Sequence, residues 1–107
     1  MKVSEIAEKN GLDEKSLRNF TQRFPVEPSG NLGRADTYAE PEARLIAMAY
    51  RLSRSLGRRD VCAFMGHMRG KTEWLYFQHF EWTTPGGLTV VIPVELWTEG
   101  LFKGDSE

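Results

Sequence analysis

Cysteine is nearly missing from this chain: Cys62 stands alone in 107 residues. A single thiol excludes an intrachain disulfide and fits a reducing compartment. No apolar run is long enough to cross a bilayer, and the first residues lack the basic-then-apolar order of a signal peptide. The expected location is therefore the cytoplasm, with no membrane partner. Internal repeats and low-complexity tracts are absent too, which excludes solenoid and array architectures. Net charge is only −1, which taken alone argues against a polyanionic partner.

What is present is a well-patterned globular sequence. A hydrophobic share of 40%, with 11% aromatics, supports a packed core rather than a disordered chain. The length fits one domain, or a small domain with an appendage. Charge is unevenly distributed. Residues 1–59 carry 11 Lys/Arg against 8 Asp/Glu, whereas residues 60–107 carry 3 against 7. Such asymmetry suggests that the first half faces a polyanion and the second half does something else.

Residues 1–24 read as two short helices separated by a tight turn, Asn10-Gly11-Leu12-Asp13. Gly11 can take the left-handed conformation that ends a helix, and Asp13 can cap the next one. Val3, Ile6 and Ala7 form the apolar side of the first helix. In the second, Leu17, Phe20 and Phe24 share one side at about 100° per residue. Lys15, Arg18, Asn19 and Gln22 share an arc of about 100° on the other side, flanked by Ser16 and Arg23. Cations and carboxamides of this kind contact phosphates and base edges in duplex DNA. A solvated surface helix shows the same two-sided pattern.

The following segment, PVEPSGNLGRADTYAEP, predicts a loop or hairpin over residues 25–38. Arg34 lies near its tip, and Leu32 and Tyr38 are apolar enough to pin it to the core. Residues 40–56 predict a helix, with Pro41 in its first turn and Leu45, Met48, Ala49, Leu52 and Leu56 at helical spacing. A second short helical pattern carries Val61, Phe64, Met65 and Met68 and ends near Gly70. Beyond Lys71, an aromatic stretch to Thr83, a turn at Pro85-Gly86-Gly87 and a β-branched run at 88–94 predict a hairpin. Helical spacing of Trp74, Phe77 and Phe80 keeps a helix open for its first arm. Pro93 suggests an edge position or the end of a strand.

The order of these features from Val3 to Met68 resembles the DNA-binding domain of the MerR family of bacterial regulators. The related excisionase-type winged helices of phages share it. Ser16-Leu17-Arg18-Asn19-Phe20 occupies the place of that family's recognition-helix run. Gly33-Arg34 and Tyr38 occupy the wing, and Ser55-Leu56-Gly57 the join between the later helices. Asn19 stands where the family has an aromatic, Arg34 and Tyr38 are farther apart than usual, and the long dimerising coiled coil is replaced by segment 73–102. The resemblance implies an α+β, mostly α fold, a winged helix-turn-helix over residues 1–70 with a C-terminal β-hairpin appendage over 71–104. It implies a sequence-specific regulator of double-stranded DNA, of repressor or recombination-accessory type. Its DNA-facing residues would be Lys15, Ser16, Arg18, Asn19, Gln22, Arg23, Arg34 and Tyr38.

A single short winged helix reads few base pairs, so a homodimer is expected. The candidate surface is the aromatic segment, with Trp74, Tyr76, Phe80, Trp82, Val90, Ile92 and Trp97. The competing expectation is that these side chains cover the core of a monomer. An adaptor that binds protein instead of DNA is the alternative functional class.

Other patterns carry less. Gly66 to Thr72 is one residue too short for a phosphate-binding loop and follows a helical pattern rather than a strand. The same stretch faintly resembles the end of tyrosine recombinases, with Tyr76 and His67, in a chain too small for that chemistry. Cys62, His67 and His79 match no zinc spacing. Cys62 is expected as a small core residue and His79 as a packed or hydrogen-bonded histidine. No catalytic triad or carboxylate pair stands out, so neither an enzyme nor a cofactor is expected.

Overall fold

A computed structural model describes residues 1–26, 30–32, 35–69 and 71–98. Its centre is a helix that is apolar on nearly every side. In Glu40–Ser53 the run from Ala43 to Tyr50 is buried throughout, and Leu52 with it. A helix apolar all round must be surrounded, and this one is. Helices α1 (Val3–Lys9) and α2 (Glu14–Arg23) precede it, and α2 packs on this central helix, α3. Helix α4 (Arg58–Met68) packs against it, as do a 3-10 turn (Thr72–Tyr76) and the short α5 (Val94–Trp97).

The joints follow from local chemistry. Helix α3 starts behind Ala39, whose amide donates to the Glu42 carboxylate at 3.1 Å, and Pro41 takes a first-turn position where its missing N–H costs nothing. After Ser53 the chain tightens through Ser55 N to Leu52 O, and extended Gly57 starts α4. The expected apolar stripe of α4, Val61, Phe64, Met65 and Met68, is buried as a set. Cys62 lies off that stripe and is exposed, which corrects its expected place in the core.

Two antiparallel hairpins interrupt the helices. In the first, β1 (Gly30–Leu32) pairs with β2 (Ala35–Thr37) in the register Gly30 to Thr37 and Leu32 to Ala35. This agrees with the hairpin expected between residues 25 and 38. The Tyr38 amide then donates to the Met1 carbonyl at 2.8 Å, tying the exit of β2 to the approach of α1. In the second, β3 (Phe80–Thr83) pairs with β4 (Thr89–Ile92), from Phe80–Ile92 to Thr83–Thr89. Gly87 has φ +92° in the connecting turn, a conformation that favours glycine. The fold is α+β and mostly α.

The first arm of this hairpin is shorter than the aromatic stretch suggests. Residues 72–76 form the 3-10 turn, and the strand begins only at Phe80. Its partner sets the limit: Pro93 ends β4 and starts α5, so four residues are available for pairing. Phe80 and Trp82 alternate inward with Glu81 and Thr83 outward. Phe64 meets Trp82 edge-on at 5.3 Å and stacks with Phe80 at 6.4 Å.

That packing corrects part of the expected dimer surface. Phe80, Trp82 and Ile92 are buried in the monomer's own core. Trp74, Val90 and Trp97 lie partly buried against it. Of the expected set, Tyr76 alone is well exposed. One cluster of buried side chains runs from Ile6 to Val94, so hairpin β3–β4 covers the same core that α1 and α2 use.

Candidate nucleic-acid interface

The joint between α1 and α2 closes in the way its residues predict. Gly11 has φ +66°, the Leu12 amide donates to the Ala7 carbonyl at 2.8 Å, and the Gly11 amide donates to Glu8 O at 3.4 Å. These are the paired bonds of a glycine-terminated helix end. Asp13 then caps α2, accepting from the Ser16 amide at 2.9 Å. Hydrogen bonding from Ser16, aided by the charge on Lys15, holds the Asp13 carboxyl below its ordinary pKa.

The cap and turn fix the direction of α2, and its inner face fixes its rotation. Leu17 and Phe20 are completely buried, and Phe24 stacks on Phe20 with ring centroids 4.8 Å apart. Phe20 in turn meets the Tyr50 ring of α3 edge-on at 5.7 Å. This leaves Lys15, Ser16, Arg18, Asn19, Gln22 and Arg23 exposed, so the expected DNA-facing residues of α2 share one accessible surface.

Arg18 is not idle there. Its guanidinium meets the Glu14 carboxylate at 2.5 Å, one turn earlier on the same helix. Both side chains are about half exposed, so the pair contributes little stability, on the order of 0.3–0.5 kcal/mol. A competing anion can displace Glu14 from it at that cost. The pairing at i and i+4 is readable in the sequence, although attention to the cations alone passes it over.

The remaining expected contacts divide. Tyr38 is buried at 6% exposure, a core residue rather than part of an exposed face. This agrees with the expectation that Tyr38 pins the hairpin to the core and corrects its expected place among the DNA-facing residues; its amide is held by the Met1 carbonyl. Arg34 lies outside the described residues. His79 is exposed, which rules out the packed one of its two expected roles, and His67 is exposed with its ring 5.4 Å from Trp74. Among the described residues no group of three His, Cys, Asp or Glu is placed to hold a metal ion.

Sequence reasoning missed Arg44. It is 1% exposed, in the second turn of α3. Its guanidinium donates to the Leu75 carbonyl, the Thr98 hydroxyl and the Glu40 carboxylate, each at 3.2 Å, and lies 4.2 Å from the Tyr76 ring centre. Tyr76 donates its own hydroxyl to Glu40 at 3.2 Å. Burial and the Glu40 charge raise the Tyr76 pKa. This network binds the C-terminal segment to α3 and works from inside the molecule, not on a ligand. The signal that could have found it is the spacing of Glu40 and Arg44 at i and i+4, with the arginine set between Ala43 and Leu45 in a helix that is otherwise mostly apolar.

A cleft of about 340 Å³ lies between α3, α4 and the 3-10 turn, lined by Leu45, Met65, Met68 and Leu75 with Glu42 and Arg69. Among the described residues that line it there is no nucleophile–base pair, and most of them are apolar.

Comparison with protein-family models, curated proteins and solved structures returned no significant match to this chain. No helix among the described residues is long and apolar enough to cross a membrane.

Proposed function

We propose that this protein is a winged helix-turn-helix regulator that binds double-stranded DNA, with α2 in the major groove. One observation carries the reading. A helix held by a capped turn and a fully buried apolar face presents Lys15, Arg18, Asn19, Gln22 and Arg23 together on its open side. Carboxamides read base edges in pairs of hydrogen bonds, and the cations hold phosphates on either side. The hairpin β1–β2 follows α2 directly, the place of a wing that tracks the adjacent backbone.

The reading extends to a homodimer. Three large apolar side chains remain exposed on and around β4: Leu88 at 57%, Val91 at 56% and Leu96 at 65%. They give a two-fold contact an apolar centre on the half of the chain that is acidic and so unsuited to DNA.

Selection of bound sequences from a random duplex library tests the reading. The expected result is a short enriched motif whose preference at one position relaxes when Asn19 or Gln22 is replaced by alanine. Recovery of no motif, together with no retention of duplex at low salt, would refute it.

A further inference from the structure

A small cavity opens where the end of α2 meets the start of α4. It measures about 120 Å³ and is lined by Arg23, Phe24, Ser53, Leu56, Arg58 and Val61. That is roughly four water volumes, room for one phosphate group. Phe24 is its aromatic wall, fixed by stacking on Phe20. Both arginines converge on that ring, Arg23 with its guanidinium carbon 5.8 Å from the ring centre and Arg58 at 5.9 Å. Among the described residues neither forms an ion pair, whereas Arg18 and Arg44 each have a glutamate. Asp60, the acidic residue of the same turn of α4, is not part of the lining. Gly57, which precedes the first turn of α4, has no side chain with which to cap the first amides of that helix.

Two unneutralised guanidiniums held on one ring, across a cavity of this size, select a compact dianion or a phosphodiester over a carboxylate on an extended chain. We propose that Arg23 and Arg58 together hold a single phosphate group between α2 and α4. Its source is a backbone phosphate of duplex DNA beside the groove that α2 enters, so this assignment of source rests on the DNA-binding reading above. The consequence is mechanical. One phosphate bridging two helices would set how α2 tilts in the groove, and α4 would contribute to affinity without touching a base.

Two measurements test the site, and they fail separately. The first uses inorganic phosphate alone, with the arginine Nε–H signals followed by NMR. The Arg23 and Arg58 signals should shift together and saturate, and Arg23→Gln should abolish the shift at Arg58. An absence of shift, or independent shifts that survive the other substitution, overturns the shared site. The second uses random-sequence duplex and a double-mutant cycle. Arg23→Gln and Arg58→Gln should each weaken binding about tenfold. The double variant should fall short of the product of the two by about threefold or more, because both arginines act on one phosphate. A strictly multiplicative double variant, with the salt slope reduced by about two units instead of one, would assign the arginines to separate phosphates and overturn the clamp. Saturable phosphate shifts in a protein that ignores duplex at every salt concentration would uphold the site, assign it to a free phosphate and refute the DNA reading instead.

Discussion

At the scale of single residues, side chains of one type divide by their surroundings. Arg18 and Arg44 both pair with a glutamate one turn earlier, yet Arg18 is exposed and Arg44 is enclosed. Water screens the first pair, so its partner can be exchanged for a phosphate. The second supports the fold. Replacing Glu40 by Gln removes a carboxylate partner of the buried Arg44 guanidinium and should destabilise the protein by about 2–3 kcal/mol, below the full range for a buried pair because Glu40 is partly exposed. Urea unfolding measures this; a change within error would show that the other partners of Arg44, Leu75 and Thr98 among them, hold it without the Glu40 charge. Tyr76 supplies a pH test of the same network. Its pKa lies above the ordinary value in the folded state, so the proton is held more tightly there than in the unfolded chain. Its contribution is fully present below pH 10 and is lost as pH rises through the raised value. The stability difference between wild type and Tyr76→Phe should therefore shrink as pH rises above 10. On the proposed DNA-facing side of α2, Asn19→Ala or Gln22→Ala should cost about 1–3 kcal/mol on the preferred sequence, read by equilibrium binding. Equal losses on preferred and random duplexes would remove base reading from these two residues.

Elements were legible in the sequence where their causes are local. Gly11 and Asp13 specify the joint between α1 and α2 by backbone conformation and a cap, and both act within a few residues. Gly11→Ala should therefore destabilise the protein by about 1 kcal/mol. No neighbour lies within 4 Å of an added Cβ, so the loss would be conformational and not a clash. Thermal unfolding checks it, and an unchanged midpoint would show that the turn relaxes without its left-handed residue. The hairpin β3–β4 was legible as a hairpin, from Pro85-Gly86-Gly87 and the β-branched run. Its length was not, because the partner strand and Pro93 set it. Nor was the fate of its aromatics. Phe80, Trp82 and Tyr76 look alike in a one-dimensional pattern, and only the position of Phe64 and Arg44 decides which are enclosed. Arg58 was passed over for a related reason. Its meeting with Arg23 across Phe24 joins residues far apart in sequence.

For the whole molecule, burial of the second hairpin makes the C-terminal segment part of the stability of the half that carries α1 and α2. Phe64→Ala should cost about 3–5 kcal/mol, since it touches both Phe80 and Trp82. The same burial is why the proposed two-fold contact is placed on Leu88, Val91 and Leu96, the most exposed of the large apolar side chains among the described residues. Sedimentation should give a dimer at tens of micromolar that Val91→Glu with Leu96→Glu converts to a folded monomer; a wild-type monomer would contradict the proposed contact. The account as a whole stands on the open face of α2. Its most direct test is the dependence of duplex affinity on salt, for wild type and for a variant with Lys15, Arg18, Asn19 and Gln22 all replaced by alanine. Counterion release predicts a linear fall of log affinity with log salt in the wild type, and a slope shallower by about two units in the variant, which loses two cations. A wild type whose binding ignores salt, or a variant that binds as the wild type does, would contradict it.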